Sequence, residues 1–181
     1  MSRSSKNISR VVYAAVSLAL AISLPLICRL INPSLGKLLS PMHFPVLLCG
    51  FAAGPLCGAA VGILSPLCNG LLFGSPAVYP DMIRMMAELC AYGFFAGFFY
   101  RYLPKKFPGI MCSLVAAMLF GRLFWALSFY VISLVDPKTP FYLEYIITKT
   151  VSGALLGIAC QVILIPPTVI SLQKAKLILV Q

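Results

Sequence analysis

Between Ser40 and Gly74 the chain reads SPMHFPVLLCGFAAGPLCGAAVGILSPLCNGLLFG, apolar throughout and without a charge apart from any on His43. Gly50, Gly54, Gly58, Gly62, Gly70 and Gly74 share a spacing of four, with Pro66 filling the gap. In a membrane, small residues at that spacing let helix backbones approach closely, so that packing and weak Cα–H contacts replace the missing hydrophobic drive. Tight helix packing accounts for the pattern and leaves room for a function on the same elements.

The stretch also sets the topology. Phe44 to Phe73 is 30 residues, whereas one crossing needs about 20. It is too long for one helix without strong tilt and too short for two full ones. Gly54-Pro55 resolves the conflict, because glycine suits a helix end and proline the first turn of the next. The spacing predicts a short helix over about 44–54, a tight turn, and a full helix over 55–73.

The rest of the chain agrees with a lipid environment. A composition of 61% hydrophobic and 10% charged residues over 181 positions excludes an ordinary soluble domain and fits one polytopic membrane domain over 1–181. The net charge of +10 does not read as nucleic-acid binding, since no basic face with interleaved aromatics accompanies it. The 7 cysteines form no Cys-x-x-Cys and lie in or beside apolar spans, so they read as small hydrophobes. One histidine without paired cysteines argues against zinc, and no metal or cofactor is expected.

Taken in order, further helices are expected at about 11–28, 81–102, 110–134 and 142–165, giving an all-α, six-helix integral membrane bundle with a short second helix. The basic N-terminus followed by an apolar run imitates a signal peptide, but the run approaches full-span length and lacks a convincing cleavage site, so it reads as a retained first helix. Asp81 is the expected N-cap of the fourth helix, and Pro166-Pro167 the expected stop of the sixth. Gln173, Lys174 and Lys176 alternate with apolar residues, which suits a tail lying along the membrane surface. With both termini cytoplasmic, Arg3, Lys6, Arg10, Arg101, Lys105, Lys106, Lys174 and Lys176 collect inside, and only Arg29, Lys37 and Lys138 outside. That satisfies the positive-inside rule for a multi-pass cell-membrane protein.

Four ionisable residues then remain in or near the apolar region: Arg84, Glu88, Arg122 and Lys149. Such groups are costly at that depth, so they pair, face a cavity, or both. Asp81, Arg84 and Glu88 share a helix face, which Tyr92 continues. By helical rise, Glu88 and Lys149 lie roughly 10 Å from the outer ends of their helices and Arg122 roughly 18 Å from its own. Trp125 and Phe129 share the Arg122 face. Charges from three helices beside aromatics are what a small-molecule pocket entered from outside needs, and His43 could line or lid it. The competing reading is a Glu88–Arg122 or Glu88–Lys149 pair that only clamps helices. Asn69 and Gln161 read as interhelical hydrogen-bonding groups. No Walker sequence, phosphate loop or nucleophile–base spacing is present, so no enzymatic chemistry is expected.

A chain of this size with P-V-L-L-x-G-F-x-x-G-P-x-x-G (Pro45, Val46, Leu47, Leu48, Gly50, Phe51, Gly54, Pro55, Gly58) resembles the substrate-binding S component of energy-coupling factor (ECF) transporters. Glu88-Leu89, Tyr92-Gly93 and Gly97 in the fourth helix extend the resemblance over nearly the whole chain. It implies capture of a vitamin or related micronutrient from outside, and work with a transmembrane coupling subunit and two cytoplasmic ATPases. It also implies docking through small residues of the first helix, which here are Ala15 and Ala19. The expected substrate-binding set is Glu88, Arg122, Trp125, Lys149, Arg84, Phe129 and His43, a local reading of this sequence. The substrate stays open: cationic residues suit the carboxylate or phosphate of pantothenate or flavin mononucleotide, whereas Glu88 beside aromatics suits a deazapurine queuosine precursor or a pyrimidine. The Met-His-Phe-Pro run at Met42–Pro45 looks closer to the queuosine-precursor group. A membrane assembly protein and a self-contained secondary transporter are the alternative classes, the latter without the internal repeats it usually needs.

Overall fold

The structure, a computed structural model, describes residues 3–32, 40–136 and 155–179. Among these, helices run over Arg3–Ile31 (α1), His43–Ala53 (α2), Pro55–Phe73 (α3), Ile83–Tyr102 (α4), Phe107–Val135 (α5) and Leu155–Lys174 (α6), with a π turn at Val78–Met82 leading into α4. All but α2 are long and apolar enough to cross a membrane. Over the described residues the protein is a multi-pass, all-α, six-helix membrane bundle with one short helix.

The Gly54-Pro55 break forms as the sequence dictates. Gly54 adopts φ 104°, ψ 174°, a conformation open to glycine and strained for other residues, and Pro55 occupies the first turn of α3. The chain reverses there, so α2 and α3 lie antiparallel. A Cβ on Gly58 would sit 2.8 Å from the Gly50 Cα, which fixes the register between the two helices. That register sets Met42 beside Pro66, and α3 then continues to Phe73, roughly 10 Å further at 1.5 Å per residue. The short helix therefore begins well below the end of its neighbour.

α4 is the central helix, packed against α2, α3 and α5. Its approach to α3 is possible only without side chains. A Cβ on Gly93 would run into the Gly58 backbone, and one on Gly62 into the Leu89 carbonyl. Below this seam Leu47, Phe51, Tyr100, Ile110 and Leu114 form a fully buried core. α1 lies against α2 and α3, anchored by Asn69, which donates to the Ala21 carbonyl at 3.1 Å.

Three local expectations are corrected. Asp81 does not cap α4: Met82 holds the position before the helix and makes no side-chain cap, while Asp81 sits in the π turn. Pro166-Pro167 does not end α6, which carries both prolines and continues to Lys174. In lipid a helix satisfies its backbone internally and neighbours re-satisfy freed groups, so proline interrupts less than in water. The expected stretch 142–154 of that helix lies outside the described residues. The tail also turns back into the bundle. Gln173 donates to the Tyr100 hydroxyl at 2.6 Å and the Lys105 carbonyl at 3.0 Å. Leu179 N–H donates to the Ala52 carbonyl at 2.8 Å, and Ile178 packs on the core.

Candidate functional site

At the opposite end, α4 and α5 run antiparallel and present matching faces. α4 offers Arg84, Glu88 and Tyr92 at successive turns. α5 answers with Phe129, Trp125, Arg122 and Gly121. His43, the first residue of α2, enters from the third side because α2 starts low.

The centre is Glu88, 4% exposed. Arg122 Nη1 lies 3.0 Å from its Oε1 and His43 Nε2 lies 3.7 Å from the same atom. The Arg122 contact is close but poorly aligned, since Oε1 completes no hydrogen bond. Tyr92 follows one turn after Glu88 on α4, and its ring stands edge-on to His43 at 5.2 Å. Gly121 makes that position of Tyr92 possible, because a Cβ there would fall 2.6 Å from the ring. The His43 Nδ1 faces the Ser40 carbonyl at 3.2 Å.

A turn further out is Arg84, also buried at 5% exposure. Its guanidinium lies over the Phe129 ring, 4.1 Å from the centroid, a cation–π contact that suits a desolvated cation. Its ion pair with Asp81 is loose, 3.4 Å from Nη1, and the Asp81 side chain is 59% exposed. The Nε atoms of both Arg84 and Arg122 are buried without hydrogen-bond partners among the described residues. Trp125 is half-buried, with its ring 5.9 Å from Phe129.

The structure thus brings His43, Arg84, Glu88, Arg122, Trp125 and Phe129 together around one seam. Lys149 lies outside the described residues. The Glu88–Arg122 pair weighed in the sequence forms, and two guanidinium groups still keep spare donors. Tyr92 belongs to the cluster but was absent from the expected set. Its position four residues after Glu88 was the available signal. Asn69 bridges helices as read, bonding Ala21 and Ser65 carbonyls. Gln161 is buried with an Oε1 that has no partner among the described residues. Among the described residues no group of three or more His, Cys, Asp or Glu side chains converges as a metal site. On α1, Ala15 and Ala19 face outward, while Ala21 is fully buried.

A multi-pass helical bundle that sinks this many ionised groups between its helices, with aromatics over them, has the character of a membrane transport component. The chain belongs to the family described as ECF transporter, substrate-specific component, whose family model matches residues 9–176. Comparison with curated proteins and with solved structures gives no match.

Proposed function

We propose that the protein captures a vitamin or related micronutrient from the outer side of the cell membrane and delivers it by ATP-driven import. The observation that carries this reading is the pair of guanidinium groups, Arg84 buried and Arg122 part-buried, whose buried Nε atoms have no partner among the described residues, in a chain of this family. Burying a cation without a full set of partners is unfavourable, and a polar ligand between Arg84, Arg122 and the Trp125 and Phe129 rings supplies what the fold withholds. The low start of α2 gives that ligand room above His43.

Energy enters through partners. The outward-facing Ala15 and Ala19 form a smooth strip on α1 where another helix can lie close, so α1 docks a transmembrane coupling subunit that in turn carries two cytoplasmic ATPases. The basic end, with Arg101, Lys105, Lys106, Lys174 and Lys176 exposed, faces the cytoplasm under the positive-inside rule, and the Arg84–Glu88 end faces out. Copurification with ATPase subunits and ATP-dependent uptake in proteoliposomes test the proposal. Uptake by the isolated chain would make it a secondary carrier instead. The clamp reading draws on the 3.0 Å Glu88–Arg122 pair and predicts a purified protein that neither retains nor binds any small molecule.

A further inference from the structure

Resting on the binding role just proposed, we infer that the captured molecule is an anion, with a carboxylate or phosphate met by Arg84 and Arg122, and that Glu88 does not touch it. Glu88 is enclosed by its own protein. Arg122 and His43 crowd one oxygen, the Tyr92 ring packs against His43 beside it, and Glu88 is 4% exposed. That oxygen completes no hydrogen bond among the described residues, but the Arg122 guanidinium and the His43 ring occupy the space around it. The protein's own side chains therefore stand where a ligand's donor would have to approach.

Donors, by contrast, are in surplus. A guanidinium carries five N–H groups in a fixed fork. Arg84 directs one nitrogen at Asp81, at 3.4 Å, and lays its face on Phe129. Its Nε is buried and has no partner among the described residues, and the same holds for that of Arg122. Asp81 competes for Arg84, but its side chain is more than half in solvent, where screening weakens it. Among the described residues the two guanidinium groups carry more donors than Glu88 and Asp81 engage at these distances, and a bidentate anion is the chemistry that supplies further acceptors. Glu88 acts through Arg122, as a positioning residue that sets the guanidinium plane.

Matched pairs decide the matter. In lipid nanodiscs, nicotinate and nicotinamide, pantothenate and panthenol, and flavin mononucleotide and riboflavin are titrated by thermal shift and by Trp125 fluorescence, Trp125 being the only tryptophan. Thiamine serves as a cationic probe, and any retained molecule is identified by native mass spectrometry. The inference expects an anionic ligand to bind tenfold or more tighter than its neutral twin. Arg84→Gln should erase that preference, Arg84→Lys restore part of it, and Asp81→Asn leave it equal or stronger. The flavin pair distinguishes phosphate from carboxylate, each of which supports the inference. Glu88→Gln, by freeing Arg122, should raise the anion-to-neutral ratio, whereas a Glu88 in contact with ligand would cost the donor-bearing neutral twins most. A neutral or cationic ligand, retained or titrated, overturns the charge assignment and leaves the binding role standing. So does a charge preference that survives Arg84→Gln and Arg122→Gln. The absence of any retained or titrated ligand overturns the binding role itself.

Discussion

Gly93→Ala tests the physical basis of the fold at its narrowest point. The added Cβ lands on the Gly58 backbone, 2.9 Å from Cα and nearer still to the carbonyl. Both sides are main chain, so no rotamer change relieves the clash, and ordinary contact requires α3 and α4 to part by about 1 Å, given carbon–carbon optima near 3.5–4.0 Å. Overpacking of this kind costs typically about 1–3 kcal/mol, and a backbone-on-backbone clash belongs at the upper end. Opposing it, alanine is favoured over glycine inside a helix by about 1 kcal/mol. The net is about 2 kcal/mol of destabilisation, which for a chain of this size is about 4–8 °C in midpoint. The movement also carries Arg84, Glu88 and Tyr92 with α4, so ligand binding falls together with stability. Thermal unfolding in nanodiscs, followed by Trp125 fluorescence, reads both. An unchanged or higher midpoint for Gly93→Ala would refute the claim that glycine is required at this seam and return it to a propensity effect.

Four further outcomes follow from the same geometry. Arg122→Gln leaves Glu88 buried with fewer counter-charges and should destabilise by about 3 kcal/mol, with Glu88→Gln added in the same chain recovering part of the loss in thermal unfolding. Trp125→Ala should weaken binding of any retained molecule by tenfold or more while leaving the midpoint within a few degrees, since the ring is only half-buried; calorimetric titration measures the first and differential scanning the second. Ala15→Leu with Ala19→Leu should fold and bind normally, because both positions face outward, yet lose copurification with a coupling subunit and lose uptake. Gln173→Ala removes two hydrogen bonds, each worth about 1 kcal/mol, and should speed hydrogen exchange at Ile178 and Leu179 ahead of the core.

The sequence was most readable where local chemistry and the lipid environment demand the same thing. Gly54-Pro55 is a break in water or lipid, and a 30-residue apolar run cannot cross twice at full length, so the short helix followed. Charges in apolar helices are costly enough to announce themselves, which is why Arg84, Glu88 and Arg122 were legible as one neighbourhood. Pairing was not, because Glu88 had two cationic candidates at suitable depth; the α4–α5 packing brings Arg122 to it, while Lys149 lies outside the described residues. Tyr92 was placed on the Glu88 face but left out of the binding set for a related reason: an aromatic in a membrane helix is unremarkable until Gly121 is seen to make way for it. Proline was misread at Pro166-Pro167 by a rule learned in water. The returning tail was invisible, since residues 177–179 announce no partner and the Ala52 carbonyl lies more than 120 positions earlier.

That long-range bond has a consequence for how the protein is made. At 11 residues, α2 is too short to be recognised as a span on its own, so it enters the bilayer as the lesser arm of a hairpin with α3. Its Ala52 carbonyl then lacks this partner until residue 179, which donates to it, has been synthesised. Until α6 and the segment after it have left the ribosome, the half-length arm rests on water or lipid headgroups rather than on its final partner. Closure of the bundle at this end is therefore a late, post-insertion event, and a nascent chain halted before α6 exposes the Ala52–Gly54 corner to whatever insertase or protease surveys the membrane.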